Sequence, residues 1–191
     1  MKTALNTLRS FAAIFPPPEI IEKIFFLQQQ LLPLFPAVRW EKKEKFHFTL
    51  QFFGDVTEQN IEKINRDISN FCLHVHPFKI SISKYGMFSN RYSPKIFWLG
   101  STPEENTPLI ELAEHIATIT QKHHIPQENY PFHPHITLGR GKGKSSLNLI
   151  QKLETLTLHP LEFVCKEIHI MKSQLANAGS TYTILYTIPL K

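Results

Sequence analysis

The chain has few cysteines and no long apolar run. Only Cys72 and Cys165 are present among its 191 residues. Two thiols so far apart in sequence fit neither a disulfide framework nor a thiolate metal site, and they are typical of a protein from a reducing compartment. No apolar run approaches the roughly 20 residues of a transmembrane helix. We therefore expect a cytoplasmic protein that has no membrane partner. We also expect it to be a monomer.

No low-complexity segment or flexible linker divides the chain either. A length of 191 residues suits one domain, or one domain built from two similar lobes. Hydrophobic residues make up 42% of the chain, and we expect the 15 phenylalanines to form its core. The net charge of +5 suits a polyanionic substrate, although many basic proteins bind no nucleic acid.

One tetrapeptide pattern occurs twice, as HFTL in residues 47–50 and as HITL in residues 135–138. In a strand, side chains two positions apart point the same way, so each motif presents a His and a Thr together. Two such strands facing each other would place two imidazoles and two hydroxyls in one cleft. Histidine exchanges a proton near neutral pH, so a facing pair can act as general base and general acid. We therefore predict His47 and His135 as the catalytic pair.

The residues around each motif alternate in polarity, as in an antiparallel strand with one buried face. The apolar parity contains Phe46, Phe48, Leu50 and Phe52 in the first segment, and Phe132, Pro134, Ile136 and Leu138 in the second. The other parity contains His47, Thr49 and Gln51 in the first segment, and His133, His135, Thr137 and Gly139 in the second.

The rest of the chain reads as short strands and amphipathic helices. Besides the motif strands, the first of which we expect to end at Gly54, the patterns predict strands at 9–15, 79–85, 95–99, 156–164, 167–172 and 182–188. They predict helices at 19–32, 58–70, 109–123 and 145–153, and a turn-rich segment at 86–94. The expected fold class is α+β, with two small antiparallel sheets, outer helices and a cleft between the sheets.

The paired motifs, with the sequence FFGD after the first and Pro-Phe before the second, resemble the two-histidine (2H) phosphoesterase superfamily. Within it they are most similar to the LigT-like RNA 2',3'-cyclic phosphodiesterases, historically named 2'-5' RNA ligases. The likeness covers nearly the whole chain, including MF and IFWLG at residues 87–88 and 96–100, and GSTY at residues 179–182. The resemblance implies a bilobal, pseudo-two-fold domain over residues 1–191 with one motif strand in each lobe.

The resemblance also implies roles for individual residues. His47 and His135 would be catalytic, and Thr49, Thr137 and Arg140 would bind the phosphate. Arg140 has the wrong parity for the cleft unless Gly139 permits a bend or bulge that re-aims it. The family pattern before the second motif is Arg-Pro-His, whereas this chain has a histidine, His133, in the arginine position. A cation is kept there only when His133 is protonated, so we expect an affinity for substrate that is either weaker or more pH-sensitive than in the family.

The implied reaction is hydrolysis of a 2',3'-cyclic phosphate at the end of an RNA or oligonucleotide, giving a 2'-phosphate. By resemblance, His47 would protonate the leaving 3'-oxygen and His135 would deprotonate water, although the paired motifs by themselves fit either assignment of acid and base. The resemblance implies no metal or cofactor, and it implies 2'-5' RNA ligase activity as a further activity.

Three alternatives stay open. A metal site is suggested by the pairs at 74/76, 123/124 and 133/135. A non-catalytic RNA-binding module would use lysines 42, 43, 45, 142 and 144 with aromatic residues 85, 88, 92 and 130. The third is another 2H activity, either a 3'-end RNA exonuclease or a phosphodiesterase for small cyclic nucleotides.

Overall fold

The computed structural model describes residues 6–88, 95–141, 153, 155–176 and 179–191. Its strands are β1 (Thr7–Ile14), β2 (Val38–Trp40), β3 (Phe48–Thr57), β4 (Phe78–Ile82), β5 (Lys84–Phe88), β6 (Lys95–Gly100), β7 (His135–Gly141), β8 (Leu161–Cys165), β9 (Glu167–Ala176) and β10 (Gly179–Pro189). Its α-helices are α1 (Pro18–Leu31), α2 (Glu58–Cys72) and α3 (Thr107–Gln121). None of the helices in this described part combines the length and hydropathy that a membrane crossing requires.

The main sheet is antiparallel and consists of two four-stranded halves. One half has the order β10-β9-β1-β3, and the other has β7-β6-β5 with β2 paired to β7. A single residue pair, Phe48 with Ile136, joins β3 to β7. Strands β4 and β8 form a separate two-stranded sheet. The α+β class with antiparallel sheets and helices is confirmed.

The junction pair gives the two motifs a symmetric relation. Phe48 and Ile136 are each the residue between the His and the Thr of their motif, and their strands run antiparallel. The first motif therefore meets the second as if rotated about an axis through this pair. Both junction side chains are fully buried, so they anchor the two motif strands in the hydrophobic core.

The helices follow from capping and periodicity. Helix α2 begins after Thr57, whose hydroxyl accepts the N–H of Asn60 at 3.3 Å. Its buried face carries Ile61, Ile64 and Ile68 at helical spacing. Helix α1 begins at a proline, which has no N–H to leave unpaired in the first turn. The expected phenylalanine core is formed by seven of the 15 residues, because Phe26 and Phe52 are exposed and the other six are not fully buried. The seven buried phenylalanines are Phe11, Phe35, Phe46, Phe48, Phe53, Phe97 and Phe163.

Several strand boundaries differ from the predictions. The expected strand at 79–85 is split at Ser83 into β4 and β5, which belong to different sheets. Strand β5 continues through Gly86, where we predicted a turn. A Cβ at Gly86 would lie 2.0 Å from the indole of Trp98, its cross-strand partner, so this glycine makes room for a ring. The expected strand at 156–164 is confined to β8, and the expected helix at 145–153 lies outside the described residues except for Leu153.

Candidate active site

Both motifs line one cleft with a volume of about 1190 Å³. The cleft brings together the five residues that the sequence singled out, although they come from two segments, 47–49 and 135–140, that are far apart in the chain. Those residues are His47, Thr49, His135, Thr137 and Arg140. Their proximity follows from the Phe48–Ile136 junction, which sets the two motif strands side by side.

Each motif strand carries a β-bulge immediately after its threonine. In β3, Thr49 and Gln51 face consecutive residues of β1, so Leu50 is the extra residue. In β7, Thr137 and Gly139 face consecutive residues of β6, so Leu138 is the extra residue. A bulge shifts the alternation of the following side chains by one position. The two bulges therefore act in the same way on the two halves of the site.

The bulges turn the residue three positions after each threonine toward the cleft. This residue is Arg140 in β7 and Phe52 in β3, and both line the cleft. The structure thus contains a bulge that re-aims Arg140, but the extra residue is Leu138 and not Gly139. The predicted burial of Phe52 is wrong: it is 51% exposed, while Phe53 is 3% exposed. The prediction assumed that side chains alternate between the two faces along the whole strand, without a bulge.

The two imidazoles are held in the same tautomer by equivalent contacts. Nδ1 of His47 lies 2.7 Å from the carbonyl oxygen of Lys45, and Nδ1 of His135 lies 2.8 Å from that of His133. A carbonyl only accepts, so Nδ1 donates its proton and Nε2 is left to exchange one with substrate. Nε2 of His47 is 3.0 Å from the Thr49 hydroxyl, which donates to it in the neutral state.

Aromatic rings surround both histidines. The ring of His47 lies 5.2–5.5 Å from the rings of Phe11, Phe15 and Tyr182, measured between centroids. The ring of His135 lies 4.9 Å from that of Phe88 in an edge-to-face arrangement. The sequence patterns do not assign these rings to the site, because they lie in segments distant from the two motifs along the chain. Contact with these rings contributes to the burial of both imidazoles.

This burial lowers the pKa of both histidines. Burial brings the pKa of His47 down to about 4; the carbonyl of Lys45 opposes the shift, and the charge of His135 adds to it. The pKa of His135 is lowered by burial, with the carbonyl of His133 opposing and the charges of His133 and Arg140 adding. Both imidazoles are therefore mainly neutral at neutral pH in the unliganded protein. The negative charge of a bound phosphate favours protonation of one of them.

Arg140 is paired with a carboxylate. Its Nε lies 3.6 Å from Oε1 of Glu41, whose Oε2 lies 3.4 Å from Nζ of Lys45. The side chain of Arg140 is 45% exposed, so its guanidinium has room for a second anion in the cleft. Glu41 directly follows β2 in the chain, so its contact with Arg140 depends on the β2–β7 pairing.

The imidazole of His133 does not supply the positive charge that an arginine has at this position in the family pattern. Its ring packs against Trp98 at 4.7 Å and against Phe88 at 5.3 Å. Burial lowers its pKa, and the charge of Lys84 adds to this shift, so it is mainly neutral at neutral pH. Its buried Nδ1 has no hydrogen-bond partner among the described residues. Its carbonyl, in contrast, holds the imidazole of His135.

The histidine pairs that suggested a metal site do not assemble into one. His123 donates from Nε2 to Asp67 at 2.8 Å, and His76 donates from Nδ1 to the carbonyl of Lys191 at 2.7 Å. In the described ranges, no group of three His, Cys, Asp or Glu side chains is placed to hold a metal ion. Of the side chains proposed for an RNA-binding module, Tyr92, Lys142 and Lys144 lie outside those ranges.

Comparison with known proteins agrees with this geometry. A model of the 2'-5' RNA ligase superfamily matches residues 13–177. The chain is 29% identical to the RNA 2',3'-cyclic phosphodiesterase of Thermotoga maritima over 180 residues, which are 94% of each chain. It is also 29% identical to the enzyme of that name from Methanocaldococcus jannaschii over 182 residues, 93% of this chain and 98% of the relative.

Solved structures show the same fold. The crystal structure of E. coli LigT in complex with 3'-AMP superimposes with a TM-score of 0.77 and 25% identity, covering 97% of this chain and 99% of LigT. The structure of Kluyveromyces marxianus Usb1 superimposes with a TM-score of 0.58 at 14% identity, covering 98% of this chain and all (100%) of that one. At that identity, the second likeness concerns the fold alone.

Proposed function

The chain belongs to the 2'-5' RNA ligase superfamily, and on that premise we propose that it is an RNA 2',3'-cyclic phosphodiesterase that forms 2'-phosphates. The observation that carries the proposal is the matched pair of imidazoles, His47 and His135, each held at Nδ1 by a backbone carbonyl beside one cleft. The names of its relatives support the same substrate. We further infer that residues 1–191 form one bilobal domain and that the protein is monomeric and cytoplasmic. The two free, buried cysteines agree with a reducing compartment.

The register supports in-line chemistry. The Phe48–Ile136 pair is antiparallel, and each histidine immediately precedes its member of the pair, so His47 and His135 lie on opposite sides of the junction. Both line the cleft, where a phosphorus centre can lie between the two imidazoles. Attack and departure on opposite sides of that centre need a base on one side and an acid on the other. The two histidines meet this requirement without a third catalytic group.

In the proposed reaction one histidine takes up a proton and the other releases one. Nε2 of His135 takes a proton from water as the new phosphorus–oxygen bond forms. The bond to the ribose 3'-oxygen breaks, and that oxygen takes the proton from Nε2 of His47. The product carries its phosphate on the 2'-oxygen, and exchange with solvent resets both imidazoles. We propose that Thr49, Thr137 and Arg140 stabilise the charge on the non-bridging oxygens.

The cleft also offers surfaces that suit an RNA end. Phe52 is 51% exposed and Tyr130 is 82% exposed, and both line the cleft. Exposed aromatic faces stack on nucleobases of any sequence. Arg9 and Lys45 line the same cleft and can contact backbone phosphates. These surfaces favour an RNA end over a small cyclic nucleotide, and the catalytic histidines favour an enzyme over a non-catalytic binding module.

A substrate screen tests the proposed activity. We expect oligonucleotides that end in a 2',3'-cyclic phosphate to be hydrolysed, with only the 2'-phosphate appearing in ³¹P NMR spectra. The same screen includes small cyclic nucleotides, unmodified RNA 3'-ends, and a pair of ends suited to 2'-5' ligation. Stepwise shortening of unmodified RNA without hydrolysis of cyclic ends would instead identify a 3'-end exonuclease.

The pH dependence of kcat/KM should be bell-shaped and centred below the ordinary histidine pKa of about 6.5. Its basic limb reports loss of the proton from the acid histidine, and burial lowers the pKa of both candidates in the unliganded protein. The two apparent values belong to the coupled pair. We expect full activity in EDTA. A loss of activity in EDTA that zinc or manganese restores would favour the metal alternative.

Replacement of Arg140 tests its contact with phosphate. We expect Arg140→Ala to lower kcat/KM roughly tenfold to hundredfold, the range for loss of a charge-assisted hydrogen bond. The salt dependence of kcat/KM should weaken at the same time, because one screened charge is removed. Arg66→Ala, at an exposed arginine on α2, is the matched control. If both variants behave like the wild type, Arg140 does not bind the phosphate.

A further inference from the structure

A carboxylate lies among the cations of the phosphate cleft. Glu41 lines the cleft, and its side chain is only 16% exposed. One oxygen lies 3.6 Å from Nε of Arg140, and the other lies 3.4 Å from Nζ of Lys45. A negative charge at this place repels a phosphate and carries a desolvation cost. Its presence therefore calls for a contribution to the site that outweighs both effects.

The backbone of Glu41 is tied to the bulge that aims Arg140. Its N–H donates to the carbonyl of Leu138, the bulge residue, at 2.8 Å. Its carbonyl accepts from the side-chain amide of Gln28 at 2.8 Å, and the same amide donates to the Leu138 carbonyl at 2.9 Å. Gln28 is 1% exposed. Glu41 and the Arg140 bulge are thus held as one unit by a buried amide from α1.

The charge of Glu41 also acts on the imidazole of His47. Burial and the charge of His135 lower the pKa of His47, while Glu41 and the Lys45 carbonyl oppose this shift. The other titratable or charged groups that face Glu41 are Lys45, Arg140 and Tyr182, and Arg9 also acts on Tyr182. Among these groups, Glu41 supplies the negative charge that favours the protonated form of His47.

Resting on the proposed phosphodiesterase activity, we propose that Glu41 is a positioning residue: its carboxylate orients Arg140 and Lys45 around the phosphate and supports the protonated, acidic form of His47. Its repulsion of the substrate is offset because the ion pairs with Glu41 orient Arg140 and Lys45 before the phosphate binds. The role predicts a separation of effects, in which removal of the charge impairs turnover more than binding.

The test compares Glu41→Gln with Glu41→Asp and with a matched control, Glu22→Gln. Glu22 also pairs with a lysine, Lys43, at 2.5 Å, but it does not line the cleft. We expect Glu41→Gln to lower kcat roughly tenfold to hundredfold, the scale that small misplacements of catalytic groups produce. KM should stay unchanged or fall, and the basic limb of kcat/KM should move to lower pH. Glu41→Asp should restore the position of that limb, and Glu22→Gln should match the wild type.

An NMR titration of His47 in the unliganded protein separates this inference from the proposed function. Glu41→Gln should lower the measured pKa of His47 whether or not a substrate is turned over. A wild-type protein that does not hydrolyse cyclic phosphates would overturn the proposed function. An unchanged His47 titration in folded Glu41→Gln, or a fall in KM with kcat unaltered, would overturn the positioning role of Glu41.

Discussion

His47→Ala and His135→Ala should each lower kcat/KM for an RNA 2',3'-cyclic phosphate by roughly 10²- to 10⁴-fold, the usual contribution of a general acid or base. Each substitution removes one of the two groups that transfer protons on opposite sides of phosphorus. Both imidazoles occupy equivalent positions beside the Phe48–Ile136 junction. For that reason we expect losses of similar size from the two variants, measured under single-turnover conditions with the same oligonucleotide.

The double variant tests whether the histidines act as a unit. Groups that serve one step are strongly non-additive, so His47→Ala combined with His135→Ala should be little worse than either single variant. His115→Ala, at an exposed histidine on α3 that does not line the cleft, is the matched control. Near wild-type turnover in either single variant, with the fold checked by circular dichroism, would rule out the two-histidine mechanism.

Acidification should destabilise the fold through His47. Its pKa is about 4 in the folded protein, against an ordinary value of about 6.5. The unfolded chain therefore takes up the proton first as the pH falls. The stabilising contribution is fully present above pH 6.5, is lost between about pH 6.5 and 4, and changes no further below that range. The loss amounts to about 3 kcal/mol of the free energy of unfolding.

Urea unfolding of the wild type and of His47→Gln at pH 7 and pH 4 measures this contribution. The glutamine cannot titrate, so the difference in free energy of unfolding between the two pH values should shrink by about 3 kcal/mol. Some pH dependence should remain, because burial also lowers the pKa of His133, His135 and His169. His115→Gln serves as the control and should retain the wild-type difference. An equal pH dependence in His47→Gln and the wild type would contradict this account.

Local periodicity was enough to predict the elements that bear the motifs. Strand alternation is a property of neighbouring residues, so it places His47 with Thr49, and His135 with Thr137, on common faces. Helical spacing and capping are also local, and they predicted α1, α2 and α3 to within about three residues at each end. The repeated motif identified the chemistry because acid–base catalysis needs two such groups.

Longer-range pairing decided how the motifs meet and what surrounds them. The bulges at Leu50 and Leu138 exist only in register with β1 and β6, so alternation alone misplaced Phe52 and left Arg140 on the wrong face. The amide of Gln28 reaches the carbonyl of Leu138 across 110 positions of sequence, and Glu41 joins the site through the β2–β7 pairing. Sequence therefore determined which side chains are available for catalysis. Tertiary structure decided the orientation of these side chains, their pKa values and their partners, because burial and ion pairing depend on elements distant in the chain.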